Sequence, residues 1–314
     1  MTKSVFAAAH FNDEAAAYAY VEARIWANGR NCPHCGVVGQ SGALNGKSDR
    51  IGLYKCYACR KKFTVKVGTI FEDSHIQMRD WLIAIHMICS SKKGVSANQL
   101  HRTLGITLKS AWFMGHRIRE AMVDGSLRGV EPLGGAGKFI EADETVIGGK
   151  ERNKHKSKRN PKNIGAVGKT IVFSLVEREG GVRSHVVPDV TANTLRPIME
   201  AQLDRQSFLM TDEAGQYRLI GPNFAGHEKV NHGADEYVRG DAHTNTAEGY
   251  FSLLKRGING VYHHVSQQHL KRYLAEFDFR YSNRVKLGIN DTARADRALM
   301  GVSGKRLTYR DSSV

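Results

Sequence analysis

Two sets of residues in this 314-residue chain have the types and spacing to do chemistry. The first is a pair of C-x2-C knuckles, Cys32-Pro33-His34-Cys35 and Cys56-Tyr57-Ala58-Cys59, with 20 residues between them. Four thiolates presented by two tight turns at that separation fit a tetrahedral structural zinc site with Zn–S bonds of about 2.3 Å. A redox dithiol is the alternative, and the two matched pairs favour the metal. The second set is acidic: Asp143, Asp212 and Glu248. Carboxylates are the hard oxygen donors that Mg²⁺ takes. Two such ions about 3.5–4 Å apart can activate an oxygen nucleophile and relieve charge on the leaving oxygen of a phosphodiester. Lys255 follows Glu248 by seven residues, two helical turns on and about 20° off the same face, where it can meet a DNA backbone. A single strand-end Asp reads as a cap or turn residue; three acids that converge read as a metal site.

Convergence is a demand on the elements that carry these residues. From Gly137 onward the hydrophobic pattern turns to strands, over residues 138–141, 170–176, 182–187 and 208–211, with a helix over 194–203 between the last two. Three strands, a helix and a fourth strand form an α/β arrangement in which the fourth strand can lie parallel beside the first. Asp143 and Asp212 then stand where their strands run out, at one edge. Glu248 lies at the start of a helix that continues through Leu254, Lys255 and Arg256.

Upstream, residues 30–68 read as a zinc ribbon with hairpin-like strands over 51–55 and 62–67. Closed coordination gives that zinc a folding role. His34 sits inside a knuckle and is not needed as a ligand. Cys89 has no paired cysteine and reads as a buried side chain. Residues 12–26 have a cap followed by helical spacing and are expected to pack on the ribbon. Residues 73–91 carry a helical apolar stripe. Residues 96–122 read as two helices turning at Gly105, the second opened by Thr107 and expected to expose Lys109, Ser110, His116 and Arg117, the form of a helix-turn-helix.

Composition sets the partner class. The chain carries 46 Lys+Arg against 31 Asp+Glu, a formal charge of +15, and this excess favours a polyanion such as nucleic acid. The charge is clustered: residues 150–169 hold eight Lys/Arg and one acid, and residues 251–310 hold twelve against four. The first cluster reads as a basic loop. At 41% hydrophobic the chain has enough apolar residues for a packed core. The longest near-apolar stretch, residues 81–89, is too short for a bilayer span, and the apolar run near the N-terminus is too short for a signal peptide. A soluble cytoplasmic protein is expected. Gly168-Lys169-Thr170 resembles the end of a P-loop, but that motif needs glycine at 163, which is Asn163.

In combination these motifs resemble the DDE transposases of bacterial insertion sequences, in the group with an N-terminal zinc ribbon and an RNase H-like catalytic core. The matching text is the two knuckles, Ala142-Asp143-Glu144-Thr145 with Gly148-Gly149-Lys150, Thr211-Asp212-Glu213, His243-Thr244-Asn245-Thr246 through Glu248 to Lys255-Arg256-Gly257, then Tyr262-His263-His264-Val265-Ser266 and His269 to Tyr281. It spans residues 12–285.

The resemblance implies an α/β RNase H-like core, a mixed sheet with flanking helices, behind a zinc ribbon and a helix-turn-helix-like region. The expected division is an N-terminal helix (1–29), the ribbon (30–68), the helical DNA-binding region (69–136), the catalytic domain (137–285, with basic loop 148–169) and a basic tail (286–314). It further implies Asp143, Asp212 and Glu248 as catalytic ligands of two Mg²⁺ ions, with Mn²⁺ as a substitute, Lys255 as a DNA-contacting lysine, and structural zinc on Cys32, Cys35, Cys56 and Cys59. Expected DNA contacts are Lys109, Arg117, Lys154, Lys156, Lys158, Arg159, Lys255 and Arg256. The implied activity is cleavage and transfer of DNA strands at element ends, by at least a dimer, within the bacterial nucleoid and away from any membrane. The alternatives are a DNA-binding regulator with an inert core and a nuclease that only hydrolyses. Relatives vary at the third acid; this chain has the Glu. It departs from many relatives at Gly249, where an interior glycine costs a helix about 0.5–1 kcal/mol. Glu144 should face away from Asp143 on a continuing strand and is left out of the site. His243, His263, His264 and His269 are read as structural or DNA-contacting.

Overall fold

The computed structural model describes residues 4–123, 131–149, 155–160, 167–212, 215–230 and 243–309. They form two compact units, one from residues 1–125 and 289–314, the other from 126–288.

The first unit opens with helix α1, Glu14–Ile25, capped by Asp13, whose carboxylate accepts from the Ala16 N–H at 2.7 Å. Such a cap contributes about 1 kcal/mol. Three short antiparallel strands follow in the order β1 (Ser41–Ala43), β2 (Tyr54–Cys56), β3 (Lys62–Phe63). Buried Tyr54, Phe63, Cys32 and Cys56 make the ribbon's small core, with Trp26 and Val37 packed against it. The Tyr54 hydroxyl donates to Glu22 at 2.7 Å, which joins α1 to the ribbon as expected.

Helix α2 is Met78–Ser90 and starts later than the expected residue 73. Its first N–H groups, Met78 and Arg79, donate to the Glu14 carboxylate at 2.7 and 3.1 Å, a cap supplied from 64 residues away. Helix α3, Ala97–Leu104, begins at the Ser96 cap and ends at Gly105, whose φ of +66° closes the helix in the left-handed region. Helix α4, Leu108–Met122, begins at the Thr107 cap.

The second unit is built on a five-stranded sheet. Strands β4 (Phe139–Ile147), β5 (Thr170–Glu177) and β6 (Val182–Val187) form an antiparallel meander. Helix α5 (Ala192–Gln202) then crosses over to β7 (Phe208–Asp212), parallel to β4, and β8 (Gly226–Val230) adds a parallel edge strand. The spatial order β6-β5-β4-β7-β8 is a mixed sheet with flanking helices, as an RNase H-like core requires. Alternation along β4 and β5 divides the interior in two. Ile140, Ala142, Phe173 and Leu175 pack with Leu195 and Met199 of α5. Val172 and Val176 pack on the other face with Tyr250 and Leu254 of helix α6 (Asn245–Gly257) and with Leu274 and Phe277 of helix α7 (Gln267–Ser282).

The chain then returns to the first unit as helix α8, Asp291–Met300. Residues 289–309, read in the sequence as part of a basic tail, bury Ala298, Leu299, Val302 and Leu307, and Arg294 donates to the Cys89 carbonyl at 2.7 Å. Among the described residues no helix is long and apolar enough to cross a membrane.

Candidate active site and zinc centre

Register brings the first two acids together. The parallel ladder between β4 and β7 pairs Ile140 with Leu209 and Glu141 with Met210, so the same register puts Asp143 level with Asp212. Asp212 ends β7, as the sequence indicated. Asp143 does not end its strand: β4 runs on to Ile147, and Asp143 is paired with Ser174 of β5. On its β7 side the ladder stops two residues before Asp143. Glu248 lies in the first turn of α6, whose N-terminal end favours negative charge. Gly249 does not interrupt this helix.

Asp143, Glu144, Glu248, Lys255 and Arg256 line one open cleft of about 750 Å³. Burial pushes the Asp143 carboxyl up to about 7; the 2.7 Å hydrogen bond from the Glu144 N–H opposes this, and Glu144, Asp212 and Glu248 add to it as like charges. A carboxylate that is costly to ionise beside three others is an environment that a divalent cation relieves, so the donor set fits Mg²⁺ in charge and hardness. The Glu144 side chain is tied to the Tyr217 hydroxyl at 2.7 Å and Gln216 Nε2 at 3.2 Å.

One acid that the sequence reading passed over is Glu141, completely buried and on the same face of β4 as Asp143 by alternation. Arg178 Nε donates to its Oε1 at 2.6 Å, Thr246 Oγ1 donates to the same oxygen at 2.8 Å, and the Ala247 N–H donates to Oε2 at 2.9 Å. Arg178 Nη2 also reaches the His243 carbonyl at 2.9 Å and His243 Nδ1 at 3.0 Å. The available signal was a charged residue at a strand position between Ile140 and Ala142, where an apolar residue would be ordinary.

In the first unit the four knuckle thiols lie within 4.8 Å of one another, and Cys32–Cys59 and Cys35–Cys56 are both 3.7 Å Sγ to Sγ. A tetrahedron with Zn–S bonds of about 2.3 Å has an edge of about 3.8 Å, so the set fits zinc. Burial raises the cost of a Cys32 thiolate, but the His34 and Cys35 N–H groups, together with the Cys35 and Cys59 thiols, outweigh it and hold the thiol down at about 7. Among the described residues this is the one group of three or more Cys, His, Asp or Glu side chains that converges so closely.

The expected DNA contacts divide. Lys109, Lys156, Arg159, Lys255 and Arg256 are exposed. Lys154 and the side chain of Lys158 lie outside the described residues. Arg117 is not on the surface: it is buried, with Nε donating to the Leu307 carbonyl and Nη1 to those of Ile70 and Glu72, at 2.8–3.1 Å. Its guanidinium holds the first unit together. His116 is also buried, against the expected exposure.

Comparison with known proteins places both parts of the chain among transposases. Residues 132–282 match the model of the ISXO2-like transposase domain, and residues 12–62 match that of the transposase zinc-ribbon domain. The chain is 30% identical over 267 residues, 81% of its length, to an uncharacterized protein in transposable element ISH50 of Halobacterium salinarum, 86% of which is covered. It is 24% identical over 98 residues, 31% of its length, to an uncharacterized transposase-like protein of Haemophilus influenzae, 78% of which is covered.

Proposed function

The chain belongs to the family of transposases with an ISXO2-like domain and an N-terminal zinc ribbon, and from that premise we propose that it cleaves DNA strands at the ends of an insertion sequence and joins them to new DNA. The observation that carries this reading is that the β4–β7 register puts Asp143 level with Asp212, while Asp143 lines an open cleft together with Glu248, Lys255 and Arg256. Asp143, Asp212 and Glu248 would hold two Mg²⁺ ions, or Mn²⁺ in their place. When bound, such ions supply an activated water or 3′-hydroxyl and charge relief on the leaving oxygen. Lys255, exposed two turns along α6 from Glu248, contacts the phosphate backbone and sets the scissile group against the acids. The open cleft suits a duplex better than a small molecule. The ribbon, α3–α4 with Lys109, and the basic residues Lys154, Lys156, Lys158 and Arg159 bind element ends and target DNA in the nucleoid. Holding two ends at once requires a dimer or larger assembly.

The test is Asp143→Asn, assayed on duplexes that carry the element's ends with Mg²⁺ or Mn²⁺. The expected result is loss of strand cleavage with end binding retained; parallel loss of binding overturns the catalytic role. Recombined strands among wild-type products distinguish a transposase from a nuclease that only hydrolyses. A wild-type protein that binds ends and neither cuts nor joins them is a regulator.

A further inference from the structure

We infer that Glu141 and Arg178 are positioning residues that hold the first turn of α6, and with it Glu248, against the strand that bears Asp143. The inference rests on the reading of Asp143 and Glu248 as catalytic ligands and adds what keeps them in place. Glu248 is exposed and stands in the first turn of α6, where its side chain reaches the cleft from the helix surface. Its position relative to Asp143 is therefore set by the backbone of α6.

That backbone is fastened to the sheet through one buried carboxylate. The cap residue of α6, Thr244, makes no side-chain cap bond, so the first N–H groups of the helix need another acceptor. Glu141 supplies it across the fold by accepting from the Ala247 N–H at 2.9 Å and from Thr246 Oγ1 at 2.8 Å. Ala247 is the residue immediately before Glu248. Arg178, which follows the last residue of β5, neutralises Glu141 at 2.6 Å and grips the carbonyl of His243 at the entry to the helix. His243 Nδ1 lies 3.2 Å from Glu141 and 3.0 Å from Arg178 Nη2; a ring nitrogen that accepts from Arg178 cannot also donate to Glu141, so its part is to complete the shell around the guanidinium.

A buried ion pair is an expensive way to fill this position, since apolar side chains fill the same layer at Val172 and Val176. What the ion pair provides that they cannot is direction. The acceptor oxygens fix the rotation and height of the first helical turn relative to β4, where Glu141 and Asp143 stand two residues apart on one face. Outer partners that orient metal ligands in this way change metal affinity or activity by roughly 10–100-fold when removed.

The experiment uses full-length, zinc-loaded protein and reads Mn²⁺ binding from the spectroscopic signal of the free ion, alongside strand cleavage, end binding and thermal unfolding. Glu141→Gln and Arg178→Lys are expected to weaken Mn²⁺ binding by roughly 10–100-fold. Cleavage should be lost at low Mn²⁺ and largely restored at high Mn²⁺, with end binding unchanged. Asp143→Asn, which removes a ligand itself, should not be restored at any concentration. Wild-type Mn²⁺ binding and cleavage in both variants overturns the inference, as does lost cleavage with unaltered Mn²⁺ affinity. If either variant unfolds, Thr246→Val keeps the ion pair and removes one bond to Glu141. A few-fold shift in its Mn²⁺ titration supports the inference and an unchanged titration overturns it. Wild-type protein that binds no Mn²⁺ sensitive to Asp143→Asn refutes the catalytic reading itself, a result distinct from any of these.

Discussion

In the ribbon, four thiols converge to within 4.8 Å of one another around a point with no room for substrate, whereas Asp143, Glu144 and Glu248 stand around an open cleft of about 750 Å³. The first set is local, since two knuckles on short turns and a strand end make the site. The second, with Asp212 level with Asp143 on the next strand, is assembled from mid-strand residues, a strand terminus and a helix start whose positions depend on the whole sheet. A closed site can hold its fold together through its metal. An open one must be held in shape by something other than the metal, because substrate has to enter.

The largest effect expected from this contrast is at the ribbon. Structural zinc in comparable small domains contributes about 10–16 kcal/mol of apparent binding energy that is also folding energy. Cys56→Ser, or extraction of zinc by a chelator, should unfold residues 30–68, with zinc released and protease sites opened in that segment. The five-stranded sheet of the other unit should keep its protection. Retained zinc and an intact ribbon in Cys56→Ser would end the distinction between the two sites.

At the acids the sign reverses. Asp143 has its carboxyl raised from 3.8 to about 7 by burial and by its acidic neighbours. Between those values the folded state keeps a proton that the unfolded state has released, so this group makes stability fall as pH rises from about 4 to about 7. Asp143→Asn removes the effect. With zinc in the ribbon and no other divalent ion present, the variant should be the more stable protein at pH 8, by roughly 2–4 kcal/mol after allowance for partial exposure, and about equal to wild type near pH 4. Denaturant unfolding at the two pH values measures this. Added Mn²⁺ should then stabilise wild type and leave the variant unmoved. A variant with the pH profile of wild type would mean that burial and the neighbouring acids do not hold the Asp143 carboxyl up.

The same contrast governs what could be read from the sequence. The cysteines were legible because their geometry is set within knuckles whose two cysteines are three positions apart. Asp143 and Asp212 are legible through strand pattern and the rule for parallel crossovers, although β4 runs on to Ile147, beyond the expected residue 141. The acids at 141, 143 and 144 interrupt the apolar alternation, and the β-branched Thr145, Val146 and Ile147 carry the strand past them. The polar edge strand β8, with sequence Gly226-His227-Glu228-Lys229-Val230, has little apolar alternation to announce it. Contacts across long sequence separations were out of reach. Glu14 caps a helix 64 residues on, and Arg117 is buried because the returning chain puts the Leu307 carbonyl against it from 190 residues away. A helical pattern marks Arg117 as basic and cannot tell whether its face will be covered. Glu141 escaped notice for the same reason, its partners lying 37 and 106 residues off.

The smallest predicted effect separates recognition from chemistry. Lys109 opens the exposed side of α4, with its ammonium 4.3 Å from the centre of the Tyr309 ring. Its contact with that ring is a surface cation–π pair of about 0.5–1 kcal/mol, weak enough to yield to a phosphate. Lys109→Ala should weaken end binding by roughly three- to tenfold and lower the slope of log K against log salt by about 0.9, the signature of one lost phosphate contact. Cleavage of DNA held at saturating protein should not change, because every carboxylate of the cleft belongs to the other unit. Binding measured across a salt series, with single-turnover cleavage at saturation, tests both halves. An unaltered slope removes Lys109 from the DNA interface, and slower cleavage at saturation shows that recognition and chemistry are not divided between the units.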